Sequence, residues 1–348
     1  MRITAVLCVR NEGAFLLDWL AHHLACGVSH VVALSNDCDD GTDALLDRLE
    51  VLGHVTHIRN DGPHDKGGIQ FSGLKRADRT EAVRQADWLI ALDVDEFVNV
   101  HVGTRTLPDL IAALPEASAI TLTWRLFGNA GVLRYEDRPI PEQFTRAAPA
   151  RMLWPWRASM FKTLYRNDGT YGRLGVHRPR QPEPTRIEQA RWFDGAGRAL
   201  EAQFRTRRIF TDVGRESHAL VQLNHYPLGA MESYVLKADR GRAVHSDHAL
   251  GLDYWVERNF NVVEDRSILV LAPQVAERRT ALAADPELAR LHAQAVDWRR
   301  VRFEALMRQE PYRALMGRLM MTPPSRPLGP DAAALLHGHA LRAKGADS

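Results

Sequence analysis

The sequence predicts an α/β fold with a mostly parallel central sheet and added C-terminal helices. Three observations predict it. Short, almost wholly apolar runs recur through the first 125 residues, segments of helical pattern alternate with them, and from about residue 275 Arg/Ala/Leu-rich helical patterns continue without strands. Strand–helix alternation at this spacing means right-handed crossovers and parallel neighbours, with ligands beyond the C-terminal ends of the strands.

Taken in order, "ITAVLCV" (3–9) is the run expected of a strand buried on both faces. Its length is too short to cross a membrane, so it reads as a buried first strand rather than a signal peptide. "FLLDWLAHHL" places Phe15, Trp19 and His23 four apart, an amphipathic helix with a wide apolar face. "HVVALS" (30–35) is a second strand, and "DGTDALLDRLEVLG" a helix with Asp40 or Thr42 near its N-cap. "HVTHI" (54–58), "LKRADRTEAVRQA", "WLIALDV", "TLPDLIAAL" and "AITLTW" continue the alternation. Residues 126–218 are rich in Pro, Gly, Trp and Arg, with poor periodicity, and read as strands and long loops. "ESYVLKADRGRAV" holds a helix that stops near Gly241, and the tail is Pro-rich with a short helix at 331–342. The expected organisation is a domain over 1–270 with halves 1–125 and 126–270, a helical extension at 271–320, and a linker and tail at 321–348.

Lys and Arg number 45 against 43 Asp and Glu, a balance that argues against a nucleic-acid binder working by bulk charge. Three cysteines with no CxxC pair fit a reduced, cytoplasmic chain.

"LIALDVDEFV" (89–98) runs an apolar strand into Asp93, Asp95 and Glu96. In an extended segment residues two apart point the same way, so Asp93 and Asp95 are expected to present two carboxylates to one side. A hard divalent ion, Mn²⁺ or Mg²⁺, relieves their repulsion and keeps positions open for substrate phosphates.

"ALDVDEFV" resembles the D-x-D-E-F motif of GT-A-fold glycosyltransferases, in their family-2-like group. The resemblance runs over roughly residues 1–270. "VLCVRNEGAFLLDWLAHHLACGV" is similar to the family's first strand and helix, with Arg10, Asn11 and Glu12 at the nucleotide-sugar. "ALSNDCDDGT" matches a D-N-x-S-x-D-G-T turn through Asn36, Asp40, Gly41 and Thr42, although Ser35 and Cys38 depart from it. "TWRLFGNAG" is similar to an acceptor-side segment and implies Trp124, Phe127 and Gly128 there; "FKTLYR" and "YGRLGVHRP" add His177. "LVQLNHYPLGAMESYVLKADRGRA" matches an N-H-Y…K..R-G pattern, except that Ser233 and Glu232 stand in inverted order.

The resemblance implies a metal-dependent glycosyltransferase that moves a sugar from a nucleotide-diphosphate sugar to a hydroxyl of a glycan or other acceptor, with inversion, in glycan or polysaccharide synthesis. Asp93, Asp95 and His225 would hold the metal, Lys237 and Arg240 the diphosphate, and one of Asp137, Asp168 and Asp194 would act as general base. Two alternatives stand beside it: a sugar-phosphate nucleotidyltransferase, and a non-catalytic nucleotide-sugar- or glycan-binding protein of the same fold. Many such enzymes build lipid-linked or surface glycans, which leaves room for peripheral contact with the inner face of the membrane through the Arg-rich 299–318 stretch; a solvated face is the plainer reading.

Overall fold

A computed structural model describes residues 1–64, 67–241 and 250–346. The first half is the expected parallel array. Strands β1 (Ile3–Val9), β2 (His30–Ser35), β3 (Val55–Arg59) and β4 (Trp88–Leu92) pair in the order β3-β2-β1-β4, all parallel. Side chains alternate across this sheet. Ile3, Ala5, Leu7 and Val9 join one core with helices α1 (Gly13–Ala25) and α2 (Thr42–Val51). Val6 joins a second core on the opposite face with Leu74 and Ala77 of α3 (Ile69–Ala77). The helix expected over "LKRADRTEAVRQA" breaks in two, because Thr80 caps a separate turn, Glu81–Arg84, by accepting from the Val83 amide.

The second half decides where the site lies. Strand β5 (Glu96–Val100) starts three residues after β4 ends, yet it forms the far edge of the sheet. Helix α4 (Leu107–Ala113) leads into β6 (Ala119–Leu126), followed by β7 (Phe161–Arg166), β8 (Trp192–Phe193) and β9 (Val221–His225). The full order is β3-β2-β1-β4-β7-β6-β9-β5, with β8 also paired to β6. β7 runs antiparallel to β4 and β6, and β5 antiparallel to β9, so the sheet is mixed. Three strands separate β4 from β5 along the sheet, but only Asp93–Asp95 join them along the chain. The sheet therefore curls so that β7, β6 and β9 pass around that link. Residues 126–218 otherwise form loops, single helical turns and a small antiparallel pair, Tyr171–Arg173 with Arg180–Pro182.

After β9 come α5 (Met231–Arg240), α6 (Ala272–Ala283), α7 (Pro286–Met307), α8 (Glu310–Met321) and α9 (Pro330–Ala346). Helix α5 ends at Arg240 with Gly241 (φ 75°) at its C-cap, where the sequence analysis ends it. Helices α6 and α7 pack against α1. Arg279 of α6 pairs with buried Asp18 of α1 at 2.5 Å, and Arg48 of α2 pairs with Asp285, which also caps α7 by accepting from the Leu288 amide. Among the described residues no helix is long and apolar enough to cross a membrane.

Candidate active site

Asp93, Val94 and Asp95 form a turn rather than extended chain: the Glu96 amide donates to the Asp93 carbonyl at 3.1 Å. This corrects the same-side expectation, because alternation holds only where the backbone is extended. The two carboxylates have different partners. Asp93 accepts from Lys162 Nζ at 2.9 Å and from Gln70 Nε2 at 3.4 Å. Asp95 accepts from Lys237 Nζ at 2.8 Å, and His225 Nε2 lies 3.7 Å from its other oxygen.

Each strand that passes around the turn contributes one side chain to it. β7 brings Lys162, β6 brings Trp124 and β9 brings His225. Glu96, the first residue of β5, is the hub. Its carboxylate is fully buried, accepts from the Trp124 indole N–H at 2.6 Å and from the Asp93 amide at 2.9 Å, and lies 3.5 Å from Lys162 Nζ. The Trp124 ring lies 4.2 Å from that of His225 and 5.9 Å from that of His177, whose Nδ1 faces the Phe161 carbonyl at 3.0 Å.

Electrostatics sort these groups. Burial works against an ionised Asp95, but the Lys237 ammonium and His225 beside it hold its carboxyl well below the usual range. Burial lowers His225, so its imidazole is neutral near pH 7. Burial, with the charge of Lys162, lowers His177 to about 4. Burial would lower Lys162, but Asp93 and Glu96 keep it above its ordinary value. Burial pushes Glu96 up to about 8.

Asp95 and His225 fit a hard divalent ion. One is an ionised oxygen ligand with no hydrogen bond to Oδ1 among the described residues, and the other is a neutral imidazole facing that oxygen. No three His, Cys, Asp or Glu side chains among the described residues converge as a closed cage. Asp93 is committed to Lys162 and Gln70, so it is the weaker member of the expected ligand set.

A cleft of about 780 Å³ opens beside Asp95, walled by Asn11, Glu12, Lys237, Arg240 and Arg299. Asn11 adopts a left-handed backbone (φ 52°), and its side-chain carbonyl accepts from the Asp39 amide at 2.7 Å. Arg240 pairs with Glu12 and donates to the Arg10 carbonyl at 2.6 Å, while Arg10 Nε is buried without a partner. Aromatic rings also line it: Phe15, Tyr135, Phe144 and Trp298.

Other expected residues lie elsewhere or serve the scaffold. Asp40 is buried and accepts from the Gly13 and Thr42 amides, which joins the starts of α1 and α2. Asn36 is buried beyond β2, its amide on the Val9 carbonyl. Phe127 is core, 4.6 Å from the Tyr226 ring, and a side chain at Gly128 would strike Asn261 and the Phe260 carbonyl. Asp137 accepts from His292 and Arg279, Asp168 from the Thr170 amide, and Asp194 from the Ala196 and Arg198 amides and the Arg198 side chain. The three aspartates expected as bases therefore each have local partners, two of them in turns.

Four residues at the acidic turn and the cleft escaped the sequence analysis. Lys162 stood inside "FKTLYR" with no role; a lysine in an otherwise apolar strand was the available signal. Tyr135 and Trp298 carried none. Arg299, placed in a solvated stretch, is in fact buried, with its guanidinium 4.4 Å over the Phe15 ring and 4.8 Å over that of Tyr135.

No family model matches this chain. A glycosyltransferase family 92 protein of Oryza sativa subsp. japonica is 23% identical over 150 residues, which cover 41% of this chain and 24% of that protein. One of Ricinus communis is 26% identical over 145 residues, covering 39% and 24%. The matched part thus spans about a quarter of the length of these curated relatives. Among solved structures, Staphylococcus aureus TarS residues 1–349 superimposes over 89% of this chain and 92% of its own, at 14% identity and TM-score 0.35. Mycobacterium tuberculosis glucosyl-3-phosphoglycerate synthase, in complex with Mn²⁺, UDP and glucosyl-3-phosphoglycerate, covers 36% of this chain and 44% of its own at 19% identity and TM-score 0.25.

Proposed function

We propose that this chain is a metal-dependent glycosyltransferase that moves a sugar from a nucleotide-diphosphate sugar to a hydroxyl acceptor, with inversion, in glycan or polysaccharide synthesis. The curated relatives, both glycosyltransferase family 92 proteins, support the reaction class. The observation that carries the reading is the ionised Asp95, facing neutral His225 and bonded to Lys237 at the edge of the cleft. A bound Mn²⁺ or Mg²⁺ would supply positive charge against the leaving diphosphate.

The chain's own residues do the rest. Asp95 and His225 hold the ion. Lys237 and Arg240, three apart on α5, face the same cleft and neutralise the diphosphate as it departs. Glu96 and Trp124 are positioning residues: the indole N–H ties β6 to the acidic turn and holds the ring against His225. The aromatic wall, with Tyr135 and Trp298, suits the face of an acceptor sugar. The lysine pairing supports a second reading, a nucleotide-sugar site in which Lys237 itself is the working cation and no metal is needed.

Calorimetric titration of UDP and GDP, with and without Mn²⁺, on wild type and Asp95→Ala separates them. Binding that needs both the ion and Asp95 supports the first reading. Binding that ignores Mn²⁺ and disappears in Lys237→Met supports the second. If no nucleoside diphosphate of any base binds under either condition, both readings fail.

A further inference from the structure

The strand that carries Trp124 toward the acidic turn places a second arginine problem on its next residue. Arg125 is 6% exposed, and its guanidinium makes no hydrogen bond or ion pair with any described residue; Nε is buried without a partner. A guanidinium carries five N–H donors and cannot shed its charge, so a mostly buried one whose Nε meets no acceptor is costly, and its outer nitrogens stay open to an incoming acceptor. Burial alone already lowers its proton affinity. Asp265 and Glu216 act on it only through space, and the oxygens of Asp265 are engaged by Gln222 and Ser267.

Arg125 lines a small, partly open pocket behind Trp124 together with Thr123, Ser159 and Thr211. The other polar groups there have capacity to spare. His218 Nε2 faces the Trp124 carbonyl at 3.3 Å, and since a carbonyl only accepts, Nε2 carries the proton and Nδ1 is left as a buried acceptor without a partner. Arg215 reaches the pocket from a half-exposed position, bonded only to Asp212 at 3.4 Å. No Asp or Glu lines the pocket, and its remaining walls include Leu126, Ala148 and Met152.

We propose that this pocket binds a compact oxyanion, a carboxylate or phosphate group with a neighbouring hydroxyl. The Arg125 fork takes the oxyanion, Arg215 closes on it from the mouth, and His218 Nδ1 accepts the hydroxyl proton. The site is separate from the cleft at Asp95, and Trp124 links it to the acidic turn: that residue lines the pocket and its indole donates to Glu96. The oxyanion is either part of an acidic acceptor or a free ion, and the chemistry that recognises it is the same.

The test is thermal unfolding and calorimetric titration of the full chain with inorganic phosphate, D-glucuronate and, as the uncharged counterpart, D-glucose. Wild type is expected to gain stability from an anion and none from glucose. A response to phosphate assigns the site to a free ion, and a response to glucuronate alone assigns it to an acidic sugar. Arg125→Met is expected to raise the Tm of the anion-free protein, since it removes an unpaired buried charge, and to weaken anion binding by about tenfold or more. Should that variant not fold, Arg215→Ala at the rim is expected to weaken binding about threefold at unchanged Tm. The part of the anion response that Arg125→Met removes is expected to persist in Arg240→Gln, in the other cleft, which tests the two sites apart. No response of wild type to either anion, an undiminished affinity in Arg125→Met or Arg215→Ala, or a loss that follows Arg240→Gln instead overturns the proposal.

Discussion

Asp93 and Asp95 lie two residues apart, and each bonds a lysine at nearly the same distance, 2.9 Å and 2.8 Å. The two pairs are nevertheless built differently. Lys162 comes from the middle of the sheet, is 1% exposed, and serves Asp93 and Glu96 together. Lys237 comes from a helix at the cleft, is 20% exposed, and serves one carboxylate that is itself 21% exposed. The first is shared by two carboxylates and its ammonium is enclosed, although Asp93 itself is 35% exposed. The second is open to solvent on both partners, so an incoming phosphate or cation can replace either one. Identical residue types two positions apart thus differ through the burial of the lysine and of the Glu96 it shares.

The largest expected effect breaks that comparison on stability. Lys162→Met leaves Asp93 and Glu96 without their cation, and it is expected to cost about 3 kcal/mol in urea unfolding. Lys237→Met frees a partly solvated carboxylate and is expected to cost about 1 kcal/mol. Equal losses would mean that both pairs are scaffold.

Next comes ligand affinity. Asp95→Asn is expected to weaken Mn²⁺-dependent binding of a nucleoside diphosphate about 100-fold, and Asp93→Asn by about tenfold or less, measured by calorimetry. The reverse order would move the ion to Asp93 and make the Asp95–Lys237 pair the structural one.

The same contrast shows what could be read from the chain alone. Apolar runs and helical spacing sufficed for β1 to β4 and for α1 and α2, because each is fixed by local pattern; the break after Ala77 was not foreseen. The acidic turn was legible as a functional place, since three carboxylates directly after a buried strand are costly without a cationic partner. Their partners were not. Lys162, Trp124 and His225 reach the turn only because the sheet curls after β4, and such curling depends on pairings among residues far apart in sequence. His225 and Lys237 were found through the resemblance, which carries long-range information that spacing lacks. Phe127 and Gly128 rest on the same resemblance, and burial in the core and close backbone approach account for both residue types here. Arg299 was missed because a 22-residue helix with many arginines has one of them turned inward, and composition does not say which.

The smaller effects sharpen the scaffold side. Glu96 ordinarily titrates near 4.5 and is pushed up to about 8 by burial. A raised folded value means that its contribution is fully present below 4.5 and lost as pH rises through about 8. Lys162 keeps its charge across that window. Wild type is therefore expected to lose about 2 kcal/mol between pH 6 and pH 8 from this group, and Glu96→Gln to lose that part of the slope. Parallel stability curves for the two proteins would show that Glu96 is ionised throughout, with Lys162 dominating over burial.

The smallest expected effect concerns the base. Of the three aspartates considered for that role, Asp137 comes nearest the cleft, since its charge acts on Tyr135 in the cleft wall. Its oxygens face His292 Nε2 at 3.1 and 3.2 Å and Arg279 at 3.4 Å, contacts that join the acceptor-side loop to α6 and α7. The side-chain hydrogen bond from His292 holds its carboxyl below the usual range, against the effect of burial, which makes it a weaker proton acceptor. Asp137→Asn keeps the shape and removes the charge. If the carboxylate is a clasp between loop and helices, transfer stays within about twofold of wild type while stability falls by about 1 kcal/mol. A kcat lowered by about 100-fold at unchanged stability would instead make Asp137 the base, and would require the His292 contact to open whenever acceptor binds.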